Sequence, residues 1–366
     1  MKILFVIDGL FPSTGGAEKQ ALTLAKYFKA EGHDIQILCP QLDGAMPHKE
    51  ILSGLQVTRI PYPKIKVFGS LILYLKYMYY LFMMRKTYSV VHVHMVKNIA
   101  AFTGLMKCIL NYKFVAKVSG AWEFSNGVLD KRYYNKGIMR IRNYFIKKAD
   151  HIQCVSYKTK QILLDCEYPE KIALLVPNGV DMSSHIPKAV KNNTDLVSIV
   201  YAGRLESVKG VDILIRAVNK VNANIKLIIV GSGTQEESFK GLTKELSMES
   251  QVDFLGYVNN LPEILANADI YVQPSREEGL PNSVLEAMAV GLPIIATDVS
   301  GNQDLVEDGV NGYLSIPENV LDMSEKITKL IGSSENMQRM GENSRKIIND
   351  NYSLQSTYEK LLEVYQ

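Results

Sequence analysis

"DIYVQPSREEGLPNSVLEAMAVGLPIIATD", residues 269–298, is the stretch whose reading decides the fold. A short apolar run (269–275) leads into a loop carrying Gly279 and Pro281. A helical segment follows, opened by Pro281, which suits a first helical turn, and by Asn282, which suits a cap. A second apolar run (293–298) closes the unit. Strand, helix, strand at this spacing predicts two parallel strands joined by a crossover. The pattern extends both ways. "LVSIVYAG", "KLIIVGSG" and "VDFLGYV" precede it and "GYLS" follows, with helical segments between. Near the amino terminus "KILFVI", "DIQILCP", "VVHVH", "FVAKVS" and "HIQCVS" repeat the scheme, and residues 16–31 carry Ala17, Ala21, Leu24, Ala25 and Phe28 at helical spacing. Two such arrays predict an α/β chain of two doubly wound domains with parallel sheets covered on both faces. "VPNGVD" (176–181), with its Pro and Asn-Gly, marks the junction. The expected division is 1–178, 179–345, and a last helix, 346–366, that crosses back to the first domain.

The bulk numbers agree. A chain of 366 residues exceeds one ordinary core. Hydrophobic content of 47% and charged content of 22% are those of a globular protein. The four cysteines are scattered without a CxxC pair, which argues against a disulfide framework or zinc site and fits a reducing cytosol. Asp8 and Gly9 interrupt the first apolar run, so a buried strand is expected there and not a signal peptide. Charge is uneven. Residues 1–180 hold 25 Lys/Arg against 12 Asp/Glu, whereas the rest holds 16 against 26. A basic half either faces an anionic partner or attracts the acidic half. Residues 67–84, "VFGSLILYLKYMYYLFMM", reach the length of a membrane span, but Lys76 sits mid-segment and four tyrosines add hydroxyls. A buried helix and an interfacial helix flanked by Lys64, Lys66, Arg85 and Lys86 are the two main readings.

Four stretches can carry chemistry. In "EEGLPNSVLE" (277–286), Glu278 falls on the loop before the helix and Glu286 about one turn into it. A wholly helical run would separate them by roughly 12 Å along the axis, so they are not a tight acid/base couple. A divided role along one ligand is expected, with the amides of residues 279–282 donating between them. The plain alternative, a capped helix with acidic residues near its positive end, explains one glutamate more readily than two. "YAGRLESVKG" (201–210) follows a strand and offers Arg204 and Lys209, a fork and a point charge suited to a diphosphate; a solvated loop is the bland reading. "GLFPSTGGAEKQ" (9–20) places Gly15 and Gly16 before a helix, either a plain turn or an anion-binding approach. In "VVHVHMVKN" (90–98), His92 and His94 face one side of a strand. They are a metal pair, two core histidines, or a cleft histidine touching substrate.

Together these stretches resemble a glycosyltransferase of the GT-B fold, specifically the large retaining family 4, also known as glycosyl transferases group 1. The resemblance runs through "GGAE", "ADHIQCVS", "VPNGVD", "GRLESVKG", "VGSGT", "FLGYV", "EEGLPNSVLEAMAVGLPIIATD" and "DGVNGYL". It implies two Rossmann-like domains facing across a cleft, the first binding acceptor and the second a nucleotide diphosphate sugar. It implies that Arg204 and Lys209 hold the diphosphate, Glu286 the ribose, and Glu278 a sugar hydroxyl. Gly279, Leu280, Pro281 and Asn282 would lie beside sugar and phosphate, Val258 by the base, and Gly231, Gly15 and Gly16 near the donor. His94 matches a position beside the transferred sugar. The implied reaction is hexosyl or N-acetylhexosaminyl transfer with retention, from a UDP-sugar in preference to a GDP-sugar, without a metal or catalytic cofactor.

The acceptor side departs from the family. Where many members carry a histidine, this chain reads "VSGAWEFSNG", with Trp122 and Glu123 as acceptor candidates: Trp122 to stack on a sugar or to pack, Glu123 as a base. The expected acceptor is lipid-linked or a surface polysaccharide, and the protein is expected to be cytoplasmic and peripheral on an anionic inner membrane face, with no nucleic-acid partner. The alternatives are a transferase with a small acceptor, a silent sugar-nucleotide binder, and an epimerase-like enzyme, which the E-x7-E spacing disfavours.

Overall fold

The computed structural model describes residues 1–13, 15–120, 123, 127–187 and 196–366. Its contacts divide the chain into two units, Met1–Gly179 with Leu354–Gln366, and Val180–Ser353.

The first unit is built on β1 (Lys2–Ile7), β2 (Asp34–Pro40), β3 (Lys49–Leu52), β4 (Leu55–Ile60), β5 (Val90–His94), β6 (Lys113–Val118), β7 (His151–Cys154) and β8 (Ala173–Leu175). The sheet order is β3-β4-β2-β1-β5-β6-β7-β8. All pairs are parallel except β3–β4, an antiparallel hairpin turning at Ser53 and Gly54, both at positive φ. That hairpin departs from the uniformly parallel sheet expected from sequence. Its strands are short and half-polar, so neither periodicity nor length announces them. The helices are α1 (Gly16–Ala30), α2 (Phe68–Met83), α3 (Asn98–Lys107), α4 (Gly137–Ile146) and α5 (Tyr157–Asp165). One core joins Phe5, Ile37 and Val115 of the sheet to Leu24 and Phe28 of α1; the other joins Leu4, Val91 and Phe114 to Leu73 and Tyr77 of α2, Ile99 of α3 and Ile146 of α4.

The second unit comprises β9 (Val197–Ala202), α6 (Val211–Val218), β10 (Ile225–Val230), α7 (Glu236–Glu245), β11 (Val252–Gly256), α8 (Leu261–Ala266), β12 (Ile270–Gln273), α9 (Asn282–Val290), β13 (Ile294–Thr297), β14 (Gly312–Ser315), α10 (Val320–Ile331) and α11 (Ser334–Ile347). Its sheet is wholly parallel, in the order β11-β10-β9-β12-β13-β14. Asn282, expected as a cap, is instead the first helical residue of α9, with Pro281 at the cap position and no side-chain cap bond.

A last helix, α12 (Leu354–Tyr365), belongs to the first unit. Leu354, Leu361, Val364 and Tyr365 join the core beneath α1, and the Tyr365 hydroxyl lies 2.5 Å from Nδ1 of His92. No helix among the described residues is long and apolar enough to cross a membrane. The segment 67–84 is instead a helix with one face buried and one exposed.

Candidate functional site

In each sheet the strand order reverses once, between β1 and β5 and between β9 and β12. In open α/β sheets the carboxyl ends of strands flanking such a reversal are where ligands bind. The predicted residues of the second unit gather there. Lys209 ends a short 3₁₀ turn after β9, just before α6, and its Nζ lies 2.6 Å from Oε1 of Glu278 on the loop after β12. The same oxygen accepts from Ser275 Oγ at 2.7 Å and from Gln273 Nε2 at 2.9 Å. Glu278 is 8% exposed, as is Glu286 on the second turn of α9. Gln273 is fixed in turn, because its Oε1 accepts from the Tyr271 hydroxyl at 2.8 Å; the carbonyl of Ala202 on β9, 3.1 Å from that hydroxyl, is the other acceptor within reach of its single proton. Burial raises the Tyr271 phenol, and the nearby Glu278 and Glu286 carboxylates raise it further, so it remains a donor.

Backbone packing holds these loops together. Gly231, after β10, sits at φ +127°, and a Cβ there would fall on the carbonyl of Gly203. Gly301, after β13, sits at φ +84° against the carbonyl of Gly279. Neither position admits a side chain without displacing the loops on which Arg204 and Glu278 stand. Arg276, which the sequence reading passed over, pairs with Asp212 at 2.9 Å and with Glu318 at 2.5 Å, and its amide donates to Val208. It ties the loop of Glu278 to the loop of Lys209. Arg204 is exposed, and its guanidinium makes no hydrogen bond or ion pair among the described residues. Val258 is half-buried beyond β11. A cavity of about 430 Å³ between α6 and α7 is lined by Ser207, Asp212, Arg216 and Phe239. Neither Lys209 nor Glu278 lines it.

In the first unit Gly15 is the cap residue of α1 and Gly16 its first residue. His94 is 1% exposed, flanked by Phe5 at 4.7 Å and stacked on His92 at 4.3 Å between ring centroids. Burial holds both imidazoles well below their usual range, and the neighbouring Lys117 adds to the effect, so they are neutral. Lys117, 2% exposed on β6, is itself pulled down to about 8 by burial.

Glu123 is fully buried, with its carboxylate turned inward. Oε1 accepts from the Val96 amide at 2.6 Å and Oε2 from the Gly120 amide at 2.8 Å and the Ser119 amide. It thereby clasps the loops that leave β5 and β6. Burial pushes its carboxyl up to about 7, against the downward pull of those three amides. A cavity of about 290 Å³ opens beside it, lined among others by Lys97, Asn98, Met139 and Arg142. Trp122 lies outside the described residues. No group of three or more His, Cys, Asp or Glu that could hold a metal occurs among the described residues.

Comparison with known proteins bears on this geometry. The sequence profile of the family described as "Glycosyltransferase Family 4" matches residues 14–184, and that of "Glycosyl transferases group 1" matches residues 183–347. An uncharacterized glycosyltransferase of Haemophilus influenzae is 26% identical over 95% of both chains. The UDP-Gal:alpha-D-GlcNAc-diphosphoundecaprenol alpha-1,3-galactosyltransferase of Escherichia coli is 26% identical over 97% of this chain and 95% of its own. Among solved structures, Anabaena HepE in complex with UDP and glucose superposes with a TM-score of 0.81 at 20% identity, covering 99% of this chain and 98% of that one. Two parallel-sheet units, a basic and acidic cluster where the second sheet reverses, and two adjoining profiles that together span residues 14–347 have one reading: the chain belongs to the group 1 (family 4) glycosyltransferases of the GT-B fold.

Proposed function

We propose that the protein transfers a hexose or N-acetylhexosamine, with retention of anomeric configuration, from a nucleotide diphosphate sugar to a lipid-linked or glycan acceptor. UDP is the preferred carrier. The observation that carries the reading is the cluster of Lys209, Glu278, Gln273 and Ser275 at the ends of β9 and β12. Lys209 has three N–H donors and gives one to Glu278, which leaves two for phosphate oxygens. Arg204, exposed on the loop after β9, supplies the second cation. Glu278 and Glu286 receive hydroxyls of the sugar and the ribose.

The chemistry is electrostatic. The bond from the anomeric carbon to the phosphate oxygen breaks, and the electron pair leaves with the diphosphate. Arg204, Lys209 and neighbouring amides stabilise that charge without reorganising. The acceptor hydroxyl forms the new bond on the same face, and its proton passes to the leaving phosphate oxygen, so no protein base is required. We assign Glu123 to positioning the loops after β5 and β6, because all three of its hydrogen bonds are to main-chain amides. The UDP and glucose bound by HepE, and the UDP-sugar and diphosphoundecaprenol-linked acceptor in the Escherichia coli relative's name, support the donor and acceptor classes. A lipid-linked acceptor places the protein peripherally on a membrane. The test is donor hydrolysis by wild type and Lys209→Ala, with the anomeric configuration of the product read by NMR. Undiminished activity of the variant, or an inverted product, overturns the assignment.

A further inference from the structure

The outer side of α2 is apolar. Leu73, Tyr77 and Leu81 point into the core, each at most 6% exposed. On the opposite face of the helix Phe68, Leu71, Leu75, Tyr79, Phe82 and Met83 are between 45% and 65% exposed. On α4, which with α2 and α3 covers the same side of the first sheet, Ile138, Ile141 and Tyr144 are 58–61% exposed. Helix α3 packs against both α2 and α4, and globular proteins seldom leave so many large side chains in water on one layer.

Charge along residues 51–149 is one-sided, and the first acidic residue after them, Asp150, is engaged by Lys107 at 2.6 Å. Residues 51–149 contain 17 Lys and Arg and only two acidic residues, Glu123 and Asp130. Both acidic residues are buried, at 0% and 2% exposure. Around the apolar side chains, Lys64, Lys66, Arg85, Lys86, Lys136, Arg140 and Lys148 are all exposed. Arg85 and Lys148 lie over the rings of Phe82 and Tyr144. A nucleic acid would match the cations but leave the apolar ridge unexplained. A second copy would match the ridge but set cation against cation. An anionic bilayer matches both, because apolar side chains enter the headgroup boundary while cations meet phosphates.

We propose that the outer face of α2, together with the exposed side of α4, docks the protein on the anionic leaflet of a membrane. This deepens the reading of a membrane-borne acceptor and rests on it. The experiment is sedimentation of the full chain with phosphatidylcholine vesicles, with and without phosphatidylglycerol, at low and high salt. Partition into the anionic vesicles only, weakened by salt, is expected. The double variant Leu71→Glu/Leu75→Glu should lose partition about tenfold or more. The triple variant Lys64→Gln/Lys66→Gln/Lys86→Gln should lose a similar factor, all three lying outside the donor cluster. Both variants should keep wild-type donor hydrolysis and melting temperature. Equal partition without phosphatidylglycerol, unchanged partition of the Leu double variant, or RNA binding that only the Lys variant abolishes would each overturn the proposal. Intact hydrolysis without partition sinks this inference alone, whereas partition without hydrolysis sinks the transferase reading and leaves the surface standing.

Discussion

Lys209 and Glu278 show what a pair of residues adds to a motif. The resemblance assigns each to a different part of a donor, and the structure joins them at 2.6 Å. On the proposed function, removing Lys209 takes away both a phosphate ligand and the cation that fixes Glu278. Lys209→Ala should therefore lower kcat of donor turnover about 10²–10³-fold, read by steady-state hydrolysis of UDP-sugar. Gln273 could not be found from sequence, since nothing in "YVQPS" says that its amide will bridge Tyr271 and Glu278. Glu123 illustrates a different limit. A lone glutamate in a loop reads as a base, and only its burial and three amide bonds reveal a clasp. Its titration gives a second prediction. The folded carboxyl at about 7 keeps a proton that the unfolded chain, at about 4.5, has lost. Between those pH values the folded state binds more protons, so stability falls as pH rises, on the order of 3 kcal/mol across the window, and is flat above it. Glu123→Gln, which mimics the protonated acid, should lack that fall. Thermal melts of both proteins at pH 5 and pH 8 decide it; parallel curves would refute the raised pKa.

At the scale of elements, the long apolar strands were legible because two buried faces demand runs such as "KILFVI" and "VSIVYA". The β3–β4 hairpin was not, and neither was β8, three residues long. These depend on neighbours in the sheet and not on their own composition. The ambivalence of residues 67–84 is also explained: α2 is buried on one side and apolar on both, so sequence could not choose between a core helix and an interfacial one. Helix α12 makes a further test. Its hold on the first unit rests on Leu354, Leu361, Val364 and Tyr365. Tyr365→Ala should destabilise the protein by about 3–5 kcal/mol through the lost packing. Tyr365→Phe should cost about 1–2 kcal/mol, because it strands only the His92 nitrogen. Urea unfolding of the two variants separates the contributions; equal losses would mean that the hydroxyl, not the ring, anchors the helix.

At the scale of the molecule, the acidic surplus lies in the half of the chain that carries Arg204 and Lys209. Under the proposed function, local placement of cations, not net charge, would attract a dianionic donor to that half. The base of the proposed donor is the property least legible in sequence, because the motif speaks to the diphosphate and ribose, whereas the resemblance assigns the base only to backbone near Val258. A ligand that binds only the folded state stabilises it by about 2.7 kcal/mol at a hundredfold excess over Kd. For a unit the size of residues 180–353 that is a rise of roughly 5–10 °C in Tm. UDP should produce such a rise in wild type, with GDP and ADP producing less at equal concentration. Lys209→Ala and Arg204→Ala should each reduce the UDP shift, the former more because Lys209 is held in place by Glu278 while Arg204 stands in solvent. A larger shift with GDP would reassign the base while leaving the diphosphate site intact, and a full UDP shift in the Lys209 variant would remove the diphosphate from the site altogether.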